Sequence, residues 1–213
     1  RTLIAHALST SATEEVTRYA YDAARQLITV TDPSGGLIHY TYDAAGNQTV
    51  VSRPNGVTTT MTYDNRNRLT AEEHGNSSST TLARFTFTLD VMGNRTVVQN
   101  ADNSRVEYDY DATYRVTTER HFDTSNILTG TITYSYDAAG NLVSRTGALG
   151  NATYNYNANN QLTAGDGLTY AYDSAGNLLS TTEATNAVTS YTHDARGRLV
   201  RLQPPIGGAT TYG

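Results

Sequence analysis

The chain repeats one short phrase along its whole length. A tyrosine, any residue, a second tyrosine and an aspartate precede three small or polar residues and then Asn or Arg, as in residues 40–47, 134–142 and 170–178. We call the residue before the aspartate, or before its Asn substitute, the anchor of each phrase. The nine anchors are Tyr21, Tyr42, Tyr63, Leu89, Tyr110, Tyr136, Tyr156, Tyr172 and His193.

The spacing of the anchors predicts a repeat architecture. Successive anchors are separated by 21, 21, 26, 21, 26, 20, 16 and 21 residues. A fixed period is typical of proteins in which each unit buries its apolar face only against its neighbours. We interpret residues 1–213 as one array of about nine repeats. Because the next anchor is expected one residue beyond Gly213, we also interpret the chain as a fragment of a longer array.

Composition limits the kind of core that the array can have. Only 38% of the residues are apolar, the mean hydropathy is -0.48, and the chain has 16 Tyr and no Trp. A thick aliphatic core is therefore excluded, whereas Tyr, Thr and Val favour half-buried strands. The aromatic period argues against disorder.

Charge and residue usage exclude several function classes. The net charge is -5, and all 15 basic residues are Arg, scattered without a basic patch, so the sequence predicts no nucleic-acid partner. No apolar run approaches the roughly 20 residues of a membrane-spanning helix, so we expect no transmembrane segment in this piece. The absence of Cys excludes disulfides, thiolate metal sites and a Cys nucleophile.

Each phrase predicts a β-hairpin. In residues 43–47 an Asp opens a turn that Gly46 closes, and the other closing positions hold Gly or Asn in all but two loops. Gly and Asn tolerate positive φ, which this turn requires. The exceptions are Arg25 and Tyr114, whose loops we expect to be strained or differently shaped.

The hairpin predicts which residues face each other. Asp43 faces Asn47 and Tyr42 faces Gln48, so each acidic residue has a polar partner at the mouth of its loop. Continued along the strands, this register places the first tyrosine of a doublet opposite a mostly small residue. Tyr40 should therefore face Val50, and Tyr134 should face Ser144. One side of each hairpin is then a ladder of Tyr and Leu, and the other is largely Thr, Ser and Asn.

The predicted fold is all-β, with tandem hairpins forming one long antiparallel sheet. Nine hairpins correspond to about eighteen strands. Because open twisted sheets rarely exceed about ten strands without curling, we expect the sheet to wind into a spiral or tube-like wall.

The repeated phrase resembles the YD repeat of the bacterial Rhs family. The resemblance rests on residues 42–47, 136–142 and 172–178 and extends over essentially the whole chain. It implies a large secreted or cell-surface protein whose repeats form part of a hollow β-sheet shell, as in toxin-complex shell proteins and teneurin YD shells. In such proteins the shell encloses a toxin or belongs to an adhesion receptor, and the family is also described as carbohydrate-binding.

Candidate chemical sites are few. His193 precedes Asp194, but it occupies an anchor position and is interpreted as a ring substituting for Tyr. Asp109 and Asp111 lack the later acidic ligand of a calcium loop. We predict no catalytic residue, no cofactor and no metal site. The candidate ligand-binding residues are Tyr40, Tyr42, Tyr134, Tyr136, Tyr170 and Tyr172.

Three functions remain open at this stage. The first is a non-enzymatic structural wall that encloses or displays a toxin or another part of its own longer chain. The second is an extracellular carbohydrate-binding or adhesion surface formed by the tyrosines, with a cell-surface glycan as partner. The third is self-association through open sheet edges into filaments or oligomers. Four Asn-x-Ser/Thr sequons, at Asn47, Asn76, Asn94 and Asn151, are interpreted as chance in an Asn- and Thr-rich chain.

Overall fold

The computed structural model describes residues 16–78 and 80–212, and these residues form strands joined by turns. Within that part of the chain there is no helix long and apolar enough to cross a membrane. The strands are β1 (Arg18–Tyr21), β2 (Leu27–Thr31), β3 (Leu37–Tyr42), β4 (Gln48–Ser52), β5 (Thr58–Tyr63), β6 (Leu69–Gly75), β7 (Thr81–Leu89), β8 (Arg95–Asn100), β9 (Arg105–Tyr110), β10 (Val116–Phe122), β11 (Leu128–Tyr136), β12 (Leu142–Gly147), β13 (Ala152–Thr153), β14 (Asn155–Tyr156), β15 (Leu162–Gly165), β16 (Leu168–Tyr172), β17 (Leu178–Glu183), β18 (Val188–His193), β19 (Leu199–Gln203) and β20 (Thr210–Thr211).

The described residues divide into two compact units. The first contains the described residues up to Tyr108 together with Arg120–Thr129, and the second contains Asp109–Glu119 and the residues from Gly130 onward. In the first unit β1 to β9 pair antiparallel in chain order. In the second, β11 to β13 form one antiparallel ladder and β14 to β20 form another. The predicted all-β fold of tandem hairpins is therefore confirmed. The single array over residues 1–213 and its winding stay predictions.

The anchor pairing is confirmed, but the pairing beyond it was wrong by one residue. Tyr42 lies opposite Gln48, as predicted, whereas Thr41 lies opposite Val50 and Tyr40 opposite Val51. Thr49 is thus an extra residue, and it forms a β-bulge. The same shift places Tyr134 opposite Arg145 and not Ser144. Matching bulges occur beside the anchors Tyr21, Tyr63, Leu89, Tyr136, Tyr156, Tyr172 and His193.

Threonine is the extra residue at four of these eight bulges, and Ile28, Val143, Leu179 and Val200 are the extra residues at the other four. The hydroxyls of Thr70, Thr96 and Thr163 donate to backbone carbonyls of the partner strand at 3.0–3.2 Å. At the remaining threonine bulge, Thr49 Oγ1 lies 3.0 Å from Thr41 Oγ1. A bulge interrupts the backbone ladder, and a side-chain hydroxyl can satisfy a group that the interruption releases.

The loops after the anchors share one geometry. This includes the loops of Arg25 and Tyr114, which the sequence predicted to be strained or differently shaped. In the loop after Tyr42 the N–H of Gly46 donates to the Asp43 carbonyl at 3.1 Å, and the N–H of Asp43 donates to the Asn47 carbonyl at 2.9 Å. Arg25 and Tyr114 adopt φ of 65° and 64° and make the same turn hydrogen bond. Of the two predicted alternatives, a strained loop or a different shape, the structure has the first, because both residues adopt the left-handed conformation within the common loop shape.

The fold has almost no fully buried apolar side chain. Among the described residues only Val51 and Ile132 are buried apolar residues, and Thr59 is the buried polar one. Most of the described tyrosines are half-buried, and Tyr21, Tyr114 and Tyr212 are exposed. Stability must therefore come from many similar contacts between neighbouring hairpins, as expected for a repeat protein.

Candidate functional site

The six tyrosines that the sequence singled out are half-buried and alternate with more exposed residues. In β3, Tyr40 and Tyr42 flank the exposed Thr41, and β11 and β16 place their doublets in the same way. The two rings of a doublet therefore share one side of their hairpin, as predicted. Tyr40 and Tyr42 lie in the first unit, and the other four lie in the second.

The anchor tyrosines connect each hairpin to the one before it. Tyr42 Oη donates to the carbonyl of Leu27 at 2.8 Å, and Tyr63 Oη donates to the carbonyl of Gln48 at 2.9 Å. Leu27 and Gln48 lie opposite the anchors of the preceding hairpins. The equivalent bonds in the second unit join Tyr136 to Val116, Tyr156 to Leu142 and Tyr172 to Leu162 at 2.8–3.1 Å.

The acceptor carbonyls are available because the backbone ladder between hairpins stops short of them. The pairs between β2 and β3 run from Thr31↔Leu37 to Thr29↔His39, and Leu27 lies two residues beyond the last pair. A half-buried carbonyl outside a ladder needs another donor, and the phenol provides it. Burial accordingly raises the pKa of Tyr42, Tyr63 and Tyr136. These hydroxyls have a structural role.

Two anchors lack the hydroxyl. Leu89 stands at the anchor of β7 and His193 at the anchor of β18, opposite Arg95 and Leu199 respectively. Nδ1 of His193 is buried and has no hydrogen-bond partner among the described residues. The carboxylate of Asp194 accepts instead from Arg198 Nε at 2.8 Å. His193 thus occupies the ladder position predicted for it and does not form a base with Asp194.

The first tyrosines of the doublets differ from the anchors. Tyr134 Oη donates to Glu119 Oε1 at 3.0 Å, and burial together with this carboxylate raises the pKa of Tyr134 to about 12. Tyr154 Oη donates to Asp166 Oδ2 at 2.9 Å. The hydroxyls of Tyr40 and Tyr170 make no hydrogen bond to any described residue. Of the six candidate tyrosines, only these two present a half-buried ring with an unused hydroxyl.

A polar contact closes the mouth of nearly every loop, and we call this contact the loop clasp. Asn47 Nδ2 donates to Asp43 Oδ2 at 2.9 Å, and Arg68 Nε donates to Asp64 Oδ2 at 2.7 Å. Six further loops make the side-chain contact that the sequence predicted: Asp90–Asn94, Asp111–Arg115, Asp137–Asn141, Asn157–Gln161, Asp173–Asn177 and Asp194–Arg198. In the first loop, Asp22 accepts only from the backbone N–H of Gln26.

The clasps depress the pKa of the loop carboxylates. Where the partner is Asn, its side-chain amide is the main cause of the lowered pKa, as for Asp43, Asp90, Asp137 and Asp173. Where the partner is Arg, its backbone N–H is the main cause, as for Asp64, Asp111 and Asp194. Hydrogen bonds to the charged form favour ionisation. The carboxylates are therefore occupied as acceptors and are poor candidates for acid-base chemistry.

The clasps also reach the next loop, which the sequence did not reveal. Asn47 Nδ2 donates to Asn67 Oδ1 at 2.9 Å, and Arg68 Nη1 donates to the Asp90 carbonyl at 2.7 Å. A Cβ added at Gly46 would lie 3.3 Å from Gln26 Nε2, and one added at Gly197 would lie 3.1 Å from Asn177 Oδ1. Gly46 and Gly197 are thus constrained twice, by positive φ and by the polar side chain at the mouth of the preceding loop.

A polar network in the first unit, in which only Thr59 is buried, resembles a catalytic arrangement in its order of groups. Thr59 Oγ1 lies 2.9 Å from His74 Nδ1, and His74 Nε2 lies 3.2 Å from Glu72 Oε1. Arg53 Nη1 donates to the same Thr59 hydroxyl at 2.8 Å. Hydroxyl, imidazole and carboxylate follow the order of a hydrolase triad. However, Thr59 is only 3% exposed, so a substrate has no access to its hydroxyl.

Metal and cofactor sites were not predicted, and the described residues offer no cluster for one. They contain no group of three or more His, Cys, Asp or Glu placed to hold a metal ion. The carboxylate of Asp111, which the sequence analysis weighed as a calcium ligand, accepts a hydrogen bond from Arg115.

The chain matches the models of two known protein families. Residues 2–128 match the model of the Teneurin YD-shell family. The chain belongs to the Teneurin YD-shell family. Further segments, residues 128–152, 136–171 and 172–208, match the RHS Repeat. The resemblance to Rhs and teneurin YD repeats is therefore confirmed, and the chain is a structural shell segment.

Solved structures show the same fold. The chain aligns with the crystal structure of TcdB2-TccC3-Cdc42 at a TM-score of 0.54 and 17% identity, covering 90% of this chain and 14% of that one. The Tc holotoxin pore of Photorhabdus luminescens gives a TM-score of 0.55 and 17% identity, with 90% and 13% coverage. TcdB2-TccC3 without its hypervariable C-terminal region gives 0.53 and 18%, with 90% and 13% coverage.

The YD-shell segment is short beside these proteins, since it spans about one seventh of the length of the first. A search of the curated proteins finds no match. The activity and partners of the whole YD-shell protein are therefore a matter for proposal.

Proposed function

We propose that this YD-shell segment is a non-enzymatic part of the wall of a secreted protein, and that the wall encloses a toxin or another domain. The observation that carries the proposal is the use of the phrase's own functional groups. Anchor hydroxyls bind the preceding hairpin, and loop carboxylates bind their clasps. The hydroxyls and carboxylates that recur in the phrase are thus already engaged in hydrogen bonds that hold the hairpins together.

The Tc structures support this role by analogy. They share the fold, and one of them is a holotoxin pore. A secreted location follows from the same analogy and is part of the proposal. The partner would be the remainder of the segment's own longer protein.

Electron microscopy of the full-length protein would test the proposal. We expect residues 16–212 to form a wall that surrounds density for another part of the chain. Limited proteolysis provides the second readout, because an enclosed domain should resist cleavage while the wall is folded. Cleavage of that domain at the same rate in folded and urea-treated protein would contradict enclosure.

A glycan-binding surface is the second candidate, and one observation favours it. Tyr40 and Tyr170 keep half-buried rings whose hydroxyls bond no described residue, which leaves each able to stack on and bond a sugar. A glycan array would compare Tyr40→Ala and Tyr170→Ala with Tyr134→Ala, whose hydroxyl is engaged by Glu119. Saturable binding lost only in the first two variants would support this function.

A further inference from the structure

Three of the four sequons of the chain, at Asn47, Asn94 and Asn151, fall into two structural classes. Each has the Asn-x-Ser/Thr pattern of an N-glycosylation acceptor, which requires a reachable Asn Nδ2 and a reachable hydroxyl two residues later. The sequence alone does not distinguish the four sequons. The hydrogen bonds of the Asn and Thr side chains distinguish the sequons at Asn47 and Asn94 from the one at Asn151.

In the sequons at Asn47 and Asn94 both the Asn amide nitrogen and the Thr hydroxyl are hydrogen-bonded, and we call such a sequon closed. Asn47 Nδ2 donates to both Asp43 Oδ2 and Asn67 Oδ1 at 2.9 Å, and Asn94 Nδ2 donates to Asp90 Oδ2 at 2.7 Å. Their hydroxyls are also engaged. Thr49 Oγ1 lies 3.0 Å from Thr41 Oγ1, and Thr96 Oγ1 donates to the Thr88 carbonyl at 3.2 Å.

The sequon at Asn151 is open. Asn151 is exposed in the connection between β12 and β13, and its Oδ1 accepts from the backbone N–H of Gly147 at 3.2 Å. This bond leaves Nδ2 without a partner among the described residues. Thr153 is also exposed, and its hydroxyl likewise bonds no described residue. Thr153 borders an open groove of about 460 Å³, so there is space beside the sequon.

We propose that Asn151 is an N-glycosylation acceptor of the folded chain, whereas Asn47 and Asn94 are closed to modification by their clasps. In the reaction, Asn151 Nδ2 forms a bond to the anomeric carbon of a lipid diphosphate-linked oligosaccharide. The bond from that carbon to the diphosphate oxygen breaks, the lipid diphosphate leaves, and the amide proton passes to the transferase. The glycan extends from a turn between hairpins, where it disturbs neither anchors nor clasps. This inference does not depend on what the shell encloses.

The test uses purified folded protein carrying Asn76→Gln, which removes the fourth sequon from the readout. The protein is incubated with a purified oligosaccharyltransferase and its lipid-linked oligosaccharide, and each site is read by peptide mass spectrometry. We expect glycan at Asn151 and none at Asn47 or Asn94, with complete loss of modification on further change of Asn151→Gln. Synthetic peptides of residues 43–53, 90–100 and 147–157 serve as unfolded controls, and we expect all three to be modified.

Two further variants test whether modification is controlled by the hydrogen bonds of the clasp or by the residues around the sequon. Asp90→Ala removes the acceptor of Asn94 Nδ2 but leaves Thr96 donating to the Thr88 carbonyl, so modification at Asn94 should rise above that of the parent and stay below that at Asn151. Asp137→Ala breaks a clasp that contains no sequon and should leave the pattern unchanged. The proposal is overturned if Asn151 stays unmodified in the folded chain or in its peptide, or if Asn47 and Asn94 are modified to the same extent as Asn151 in the folded protein.

Discussion

Tyr42 Oη donates a hydrogen bond to the carbonyl of Leu27, 15 residues earlier in the chain and opposite the anchor of the preceding hairpin. The contact joins two repeats through a side chain on one and the main chain on the other. Five anchors make this contact, so it recurs in the described residues in addition to the backbone pairing between hairpins.

Removing the anchor hydroxyl should destabilise the protein, while removing the first hydroxyl of the doublet should not. Tyr42→Phe leaves the Leu27 carbonyl without its donor and should lower the free energy of unfolding by about 1 kcal/mol. Tyr40→Phe is the matched control, because Tyr40 Oη bonds no described residue. Urea unfolding followed by circular dichroism measures both. Equal midpoints for the two variants would contradict the role of the anchor.

Restoring the missing hydroxyl at His193 should stabilise the second unit. His193→Tyr replaces a ring whose Nδ1 is buried without a partner by one that can donate to the Leu178 carbonyl, opposite the anchor Tyr172. We expect a gain of about 1 kcal/mol. His193→Phe supplies a ring of similar size without the hydroxyl. A gain as large in His193→Phe would assign the effect to packing.

Stability should fall in acid because the loop carboxylates have lowered pKa values in the folded state. A carboxylate with a pKa below its ordinary 3.8 stabilises the fold fully above the unfolded value and loses this contribution as pH falls towards the folded value. The thermal midpoint should therefore stay level near neutral pH and decline below about pH 4.

The contribution of one loop to this acid dependence can be isolated. Asp111→Asn keeps an acceptor for the backbone N–H groups but loses the charge, as in the natural Asn157 loop. The variant should be less stable than the parent at pH 7, and the difference should shrink as pH falls below 4. A constant difference across this range would show that ionisation of Asp111 contributes nothing.

Relieving the strained loop at Tyr114 should stabilise the protein. Tyr114 holds φ of 64°, and Gly adopts this conformation at no steric cost. Tyr114→Gly should raise the free energy of unfolding by about 1 kcal/mol, and Gly140→Ala, at φ of 94°, should lower it by a similar amount. Thermal unfolding compares the two. Destabilisation by Tyr114→Gly would mean that the half-exposed ring contributes more than the strain costs.

The sequence predicted the parts of the fold that depend on near neighbours. Asp43 and Asn47 lie four residues apart in one turn, so their clasp follows from turn chemistry. Tyr42 and Gln48 flank that turn, and their pairing follows from its length. The bulge was missed because the alternation of side chains assumes a regular ladder. Residue type at the bulge gave no consistent signal, because Thr49, Thr70, Thr96 and Thr163 share this position of the phrase with Ile28, Val143, Leu179 and Val200.

Contacts between repeats could not be predicted in the same way. The bond from Tyr42 to Leu27 depends on where the ladder between β2 and β3 ends, and the residue pattern does not mark that end. The contact of Thr59 with His74 has a different origin, because these residues face each other within one hairpin and the bulge at Thr70 shifts their pairing by one residue from the predicted register. Only the three-dimensional structure shows which residues these contacts join.

The anchor bond has a consequence for how such proteins change in length. Its acceptor is a main-chain oxygen, and residues as different as Leu27, Gln48 and Val116 serve equally well. A hairpin therefore needs no particular side chain in its predecessor in order to dock. Whole hairpins can be duplicated, lost or exchanged within a gene while every new neighbour still finds its acceptor.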